Sequence, residues 1–215
     1  MVFLLMIAYD IPLTSSQFML TPSHGKSATL TGRILFAPMN SFTTYMIDRN
    51  GTVNHTWPSN YYPGEAAHWV SDGTILRTIK TGAPGYGGAG GGVQEVQLDG
   101  TILWDFRYDS KGNLSHHDVT MLPNGNVLMI AWETKTRADA IAAGRNPENI
   151  TGSAFDPDHI IEVKPTGPTS GEIVWEWHAW DHLVQDFDSS KGNYGVVGDH
   201  PELIDINFGT YFLNG

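Results

Sequence analysis

The chain has 215 residues and a formal net charge of −11, from 23 acidic against 12 basic residues, with no cysteine. No Lys/Arg cluster is present to displace counterions, which disfavours nucleic acid and anionic membrane surfaces as partners, and the lack of cysteine removes disulfides, thiolate zinc sites and a cysteine nucleophile together. Charged residues make up only 16%, while 24 Gly, 12 Pro and 7 Trp punctuate the sequence, so an all-β fold of short strands and turns is expected.

In chain order, the apolar run VFLLMIA (2–8) lacks a basic flank and is too short to span a bilayer; it reads as a first strand or as the remnant of a leader. Residues 9–30 give no firm element. RILFAP (33–38), TTYMID (43–48) and TVNHTW (52–57) are strand-like runs, the last two separated by the turn residues Asp48, Arg49, Asn50 and Gly51. AHWVS (67–71) and TILRTI (74–79) follow, joined across Asp72 and Gly73. The glycine-rich run from Gly82 to Gly92 reads as an inter-strand loop, with a phosphate or sulfate cradle as the alternative; no Lys-Ser/Thr and no helix follow as a P-loop requires. GVQEVQL (92–98) and TILWDFR (101–107) pair across Asp99 and Gly100. The next hairpin, 117–132, turns at Pro123, Asn124 and Gly125, where Asn-Gly supplies the positive φ of a tight turn. Residues 134–156 break the rhythm with a short helical insertion, after which IIEVKP (160–165) and EIVWEW (172–177) restore it.

These pieces repeat. Gly51 and Gly100, and likewise Gly73 and Gly125, stand about 50 residues apart in equivalent turns, the period of a four-stranded β-propeller blade. The division is then 1–30 as a strand or leader remnant and 31–215 as a partial propeller of about three blades, near 31–65, 66–107 and 117–178, with the start of another at 198–215. Such a set would leave apolar blade faces open, so either further blades or self-association is expected.

Polar chemistry gathers at HHDVTMLPNGNVLMIAWE (116–133), which opens on His116, His117 and Asp118. His117 and, one blade earlier, His68 are placed at the heads of inner strands, facing the mouth of a channel. His178 and His182 are spaced i, i+4 in WEWHAWDHLVQD, but the preceding residues alternate as a strand and no third ligand stands at a fixed offset, so no metal is assigned. Arg77 lies inside a second strand, an unusual place for a charge. Asn54, Asn113 and Asn149 open Asn-x-Ser/Thr sequons beside turn residues, which points to an exported or cell-surface glycoprotein, extracellular or periplasmic.

HHDVTMLPNGNVLMIAWE, followed in order by GEIVWEWHAWDHLVQDFD (171–188) and GDHPELIDIN (198–207), resembles the arylsulfotransferase family of PQQ-independent aryl-sulfate sulfotransferases. The resemblance covers most of 30–207. It implies a six-bladed propeller whose central channel carries histidines and an arginine, one histidine passing a sulfuryl group from a phenolic sulfate ester to a phenol with no cofactor. In that frame His117 leads as the catalytic histidine, with His182 and His68 supporting. His116 or Asp118 orients it, Arg77 offers a cation to sulfate, and Trp180 offers a wall to the aryl ring. The family continues beyond Asn207 into further blades, whereas this sequence reads FGTYFLNG, so a truncated propeller is expected. The reading from another class is a non-catalytic exported propeller module that self-assembles or binds a partner through its open faces.

Overall fold

The computed structural model describes residues 8–9, 32–70, 73–82, 87–150, 152 and 154–209; most of the predicted leader or first strand lies outside them. Most of the described residues form three four-stranded antiparallel sheets, each with its strands in sequence order. The first sheet holds β1 (Ala8–Tyr9), β2 (Arg33–Phe36), β3 (Thr43–Ile47) and β4 (Val53–Pro58). The second holds β5 (Pro63–Trp69), β6 (Thr74–Lys80), β7 (Gly91–Gln97) and β8 (Ile102–Arg107). The third begins with β9 (Asn113–Met121) and β10 (Val127–Glu133) and resumes, after an insertion, with β13 (Asp158–Gly167) and β14 (Ser170–His178).

Burial explains the stacking of these sheets. Along β6, six consecutive residues from Thr74 to Ile79 are buried, because the second sheet is covered on both faces and period-2 alternation has no solvent side to express. Ile75 and Val96 turn to the first sheet, where they pack with Leu35, Met46 and Trp57. Leu76, Val93 and Trp104 turn to the third, where they meet Val119, Met129 and Ile161. The indole N–H groups fasten the same seams: Trp57 Nε1 donates to the Gln97 carbonyl at 2.9 Å and Trp104 Nε1 to the Ser170 carbonyl at 3.0 Å.

All three sheets share one irregularity, and the second and third share another. Between third and fourth strands, the register slips by one residue at the same place in each: Ile47 pairs Val53 while Met46 pairs His55, Val96 pairs Ile102 while Glu95 pairs Trp104, and Val163 pairs Ile173 while Glu162 pairs Trp175. The bulged residues are therefore Asn54, Leu103 and Val174, an equivalence that makes Trp104 and Trp175 counterparts. The second irregularity is in the first strands. Pro63 pairs Ile79 and Ala67 pairs Arg77, so residues 64–66 oppose Thr78 alone; Ser115 pairs Ala131 and Val119 pairs Met129, so residues 116–118 oppose Ile130 alone.

The insertion is more than a helix. β11 (Lys135–Thr136) leads into α1 (Arg137–Ala142), whose N-cap Thr136 forms a capping box with Asp139, and β12 (Ala154–Phe155) returns to pair with β11. Beyond a 3-10 turn at Ala179–His182, β15 (Leu183–Val184) and β16 (Ile204–Asp205) pair in parallel. Ala140, Ile150, Phe155, Leu183 and Ile206 form one apolar cluster, so the insertion docks on the 183–206 segment and does not project as a flap. Arg145, only 1% exposed, ties the two by donating to the carbonyls of Ile206, Asn149 and Gly209.

Candidate functional site

The second irregularity builds the site. A three-against-one bulge forces its middle residue out of the ladder, and both middle residues take the left-handed conformation: Glu65 at φ 95° and His117 at φ 51°. Neither is glycine, so each carries backbone strain of about 1–3 kcal/mol held in place by its surroundings. His117 therefore lies inside β9, at a bulge, and not at the head of a strand as sequence spacing predicts; strand pairing begins four residues earlier because Asn113 to Ser115 already bond to β10. His68 likewise lies near the end of β5.

The glycine-rich run supplies the wall between the two bulges. His117 N–H donates to the Gly88 carbonyl at 2.9 Å, and Gly88 N–H donates to Glu65 Oε1 at 2.9 Å. The imidazole of His117 lies against Gly88 so closely that a Cβ there would stand 2.1 Å from His117 Cε1. Gly91 N–H and Gly90 N–H are taken up by the Ser115 hydroxyl and carbonyl, so this part of the run is pinned to β9.

Behind His117 stands His116, 4% exposed and stacked on Trp132 with ring centroids 4.1 Å apart. His116 Nδ1 contacts His117 Nδ1 at 2.8 Å, and His116 Nε2 contacts Asp158 Oδ1 at 3.1 Å. With Asp158 ionised and both rings neutral, one assignment satisfies this line. The carboxylate accepts His116 Nε2–H, His116 Nδ1 accepts His117 Nδ1–H, and His117 Nε2 is left with its lone pair. Nε2 stands 4.0 Å from Glu65 Oε2, beyond hydrogen-bond reach, and the His117 side chain is 53% exposed. In that assignment the arrangement holds a ring nitrogen towards solvent with its lone pair free to attack an electrophile.

Asp118 turns the other way. Its Oδ1 receives His68 Nε2 at 2.7 Å and the Val119 N–H at 2.8 Å. An open cleft of about 430 Å³ begins at His68 and runs between β5 and β9, with Trp69, Val70, Met121 and Leu122 as apolar walls.

The remaining expected residues sit elsewhere. Arg77 is buried between the first two sheets, its guanidinium donating to Gln94 Oε1 and to the Trp57 carbonyl; burial lowers its pKa, offset by Asp105. His182 is bound locally, Nδ1 to the His178 carbonyl at 2.9 Å and Nε2 to Trp177 Nε1 at 3.1 Å. Trp180 packs edge-on against Phe155 under Lys135, at the insertion. Of the sequons, Asn54 is exposed on β4, Asn113 is half-buried at the start of β9 with Ser115 buried behind it, and Asn149 sits in a 3-10 turn. Among the described residues no group of three His, Cys, Asp or Glu side chains gathers as a metal site, and no helix is long and apolar enough to cross a membrane.

Sequence reasoning passed over Glu65, Gly88, Trp132 and Asp158. It also passed over a second cluster, in which buried His159 bonds Tyr108 Oη at 3.0 Å and stacks parallel on His178 at 5.1 Å, beside Glu133. Asp158 lies two residues before the expected strand 160–165, and its place opposite Trp132 is a matter of pairing register.

A family model described as Arylsulfotransferase (ASST) matches residues 21–202. The chain belongs to the arylsulfotransferase family. A search of curated proteins finds no match to it. Arylsulfotransferase membership carries aryl sulfotransferase-like function in general, with aryl sulfates and phenols as the substrate class. The matched span includes the whole of the Glu65, His116, His117 and Asp158 constellation.

Proposed function

We propose that this arylsulfotransferase transfers a sulfuryl group from an aryl sulfate to a phenol through a covalent intermediate on His117 Nε2. The observation that carries the reading is the line Asp158, His116, His117, with contacts of 3.1 and 2.8 Å ending on an imidazole whose side chain is 53% exposed. Transfer in two steps divides one difficult displacement into two, each an attack at sulfur with a neutral nitrogen or phenolic oxygen leaving. His116, held by Trp132 and Asp158, fixes the ring and spreads the positive charge that develops on His117. The three sheets, stacked in sequence order with matching bulges, are read as consecutive blades of a β-propeller, and the first-strand bulges as its channel lining.

The test is release of 4-nitrophenol from 4-nitrophenyl sulfate with phenol as acceptor. His117→Ala is expected to abolish turnover, while the wild-type protein, quenched without acceptor, carries a sulfuryl adduct on the peptide containing His117. Turnover that survives His117→Ala sinks the assignment.

A second reading is favoured by one observation. Trp104 is 2% exposed because the third sheet covers it, whereas its counterpart Trp175 is 48% exposed on the outer strand of the third sheet, beside Ile173 and Val174. That face suits association with another sheet of the same kind, whether in a second copy or a partner, and this role does not need catalysis. Light scattering on a size-exclusion column decides it: Trp175→Arg should lower the mass of any assembly, and an unchanged mass removes this reading.

A further inference from the structure

We propose that Glu65 is the proton-transfer residue of this site, donating to the leaving phenolate and accepting from the incoming phenol. The inference rests on the His117 reading above, which accounts for the sulfuryl group and leaves the phenolic proton without a carrier.

Three observations converge on Glu65. Its place is the structural counterpart of His117, since each is the middle residue of the three-against-one bulge in the first strand of its sheet. Its backbone is held at φ 95°, a conformation rare for a residue with a side chain, and such strain is kept where position matters more than local comfort. Its carboxylate is divided between two tasks: Oε1 is fixed by Gly88 N–H at 2.9 Å, while Oε2 stands 4.0 Å from His117 Nε2. That separation is too long for Glu65 to bind the imidazole. It is short enough to reach an oxygen entering or leaving a sulfur that Nε2 attacks.

The balance closes over one cycle. In the first half, the Nε2 lone pair forms the N–S bond, the aryl S–O bond breaks, and the departing oxygen takes the proton of the Glu65 carboxyl. In the second, the acceptor oxygen forms the new S–O bond, the N–S bond breaks with its pair returning to Nε2, and the phenolic proton passes to Glu65 Oε2. Gly88 keeps the carboxyl group aimed throughout, because its N–H holds the other oxygen.

The experiment is a comparison of wild type with Glu65→Gln in two half-reactions. Gln retains the carbonyl oxygen for Gly88 N–H and loses the proton. 4-Nitrophenolate is a good enough leaving group to depart unprotonated, so the burst of nitrophenolate from 4-nitrophenyl sulfate is expected to survive in Glu65→Gln. Transfer from the sulfuryl enzyme to phenol is expected to fall by about 10²- to 10⁴-fold, with the loss shrinking for more acidic acceptors such as pentafluorophenol. Transfer to phenol at the wild-type rate, a loss equal for all acceptors, or a lost burst each overturns the role of Glu65. A wild-type protein that releases no nitrophenolate overturns instead the sulfuryl-transfer reading on which it rests.

Discussion

Glu65 and His117 occupy the same position in consecutive sheets, and their side chains meet at 4.0 Å across the Gly88 peptide. The relationship is steric as well as electrostatic, because the His117 ring fills the space where a Gly88 side chain would be. Gly88→Ala is therefore expected to push the imidazole off its His116 contact and to strain a backbone at φ +84°. A displacement of about 1 Å at a reacting group costs about 10²-fold in rate, and a side chain at positive φ costs about 1 kcal/mol or more in stability. Gly100→Ala is the control. It stands at a comparable φ of +88° but has nothing within 4 Å and lies away from the cleft, so thermal denaturation should show the stability loss while sulfuryl transfer stays at the wild-type rate.

Asp158→Asn tests the line behind His117 without emptying it. The amide keeps the volume of the carboxylate but can offer its NH₂ to His116 Nε2, which reverses the tautomer and turns His117 Nε2 into a donor. A wrong tautomer in a histidine-based site costs on the order of 10⁴-fold in the best-studied hydrolases. Asp158 is half exposed, so a loss of about 10²- to 10³-fold in transfer is the reasonable expectation. The folded protein should remain, with melting within a few degrees of wild type. If transfer in Asp158→Asn equals wild type, His116 is a packing residue alone.

The parts of this structure legible in the sequence are those with local causes. Asn-Gly and Asp-Gly turns, alternation along β10 and β13, and the recurring spacing placed the strands, and the family resemblance reported from residues 116–207 is matched by the family model over 21–202. His116 and His117 stood out for the same reason, as adjacent imidazoles at the head of a patterned run. What the sequence could not express was pairing register. Two extra residues in the bulge of β9 rotate His117 out of the ladder and bring Glu65, from 52 positions earlier, to face it; no periodicity in either strand encodes that. Arg77 misled for the opposite reason. A charge in the middle of a strand looked available for an anion, yet the stacking of two sheets gives it Gln94 and a carbonyl as partners.

That placement makes Arg77→Leu a stability variant. Removing the guanidinium leaves Gln94, 1% exposed, and the Trp57 carbonyl without a donor in the seam between the first and second sheets. Leaving a buried neutral acceptor unsatisfied costs about 1–3 kcal/mol, reduced where Leu refills the volume. Chemical denaturation should show the midpoint falling with little change in slope, and transfer per folded molecule should stay near wild type. A selective rise in the concentration of aryl sulfate needed for half-maximal rate, with stability intact, would instead return Arg77 to the substrate.

His159 sets an acid limit on the fold. Its ring is 1% exposed, and burial lowers its pKa below the ordinary 6.5, opposed by the nearby Glu133 and reinforced by the neighbouring His178. The unfolded chain therefore binds a proton at this residue before the folded one does, and folding stability falls as pH drops below about 6.5 towards the lowered folded value. One group can contribute no more than about 1.4 kcal/mol per pH unit in that window. Above it the contribution is constant, and the neutral ring keeps its bond to Tyr108, whose own pKa is raised by burial and by Glu176 and Glu133. His159→Gln retains a polar partner for the phenol and does not titrate. Denaturant midpoints measured at pH 7.5 and 5.5 should thus fall further in wild type than in His159→Gln, and equal falls in the two proteins would place the acid limit on another histidine.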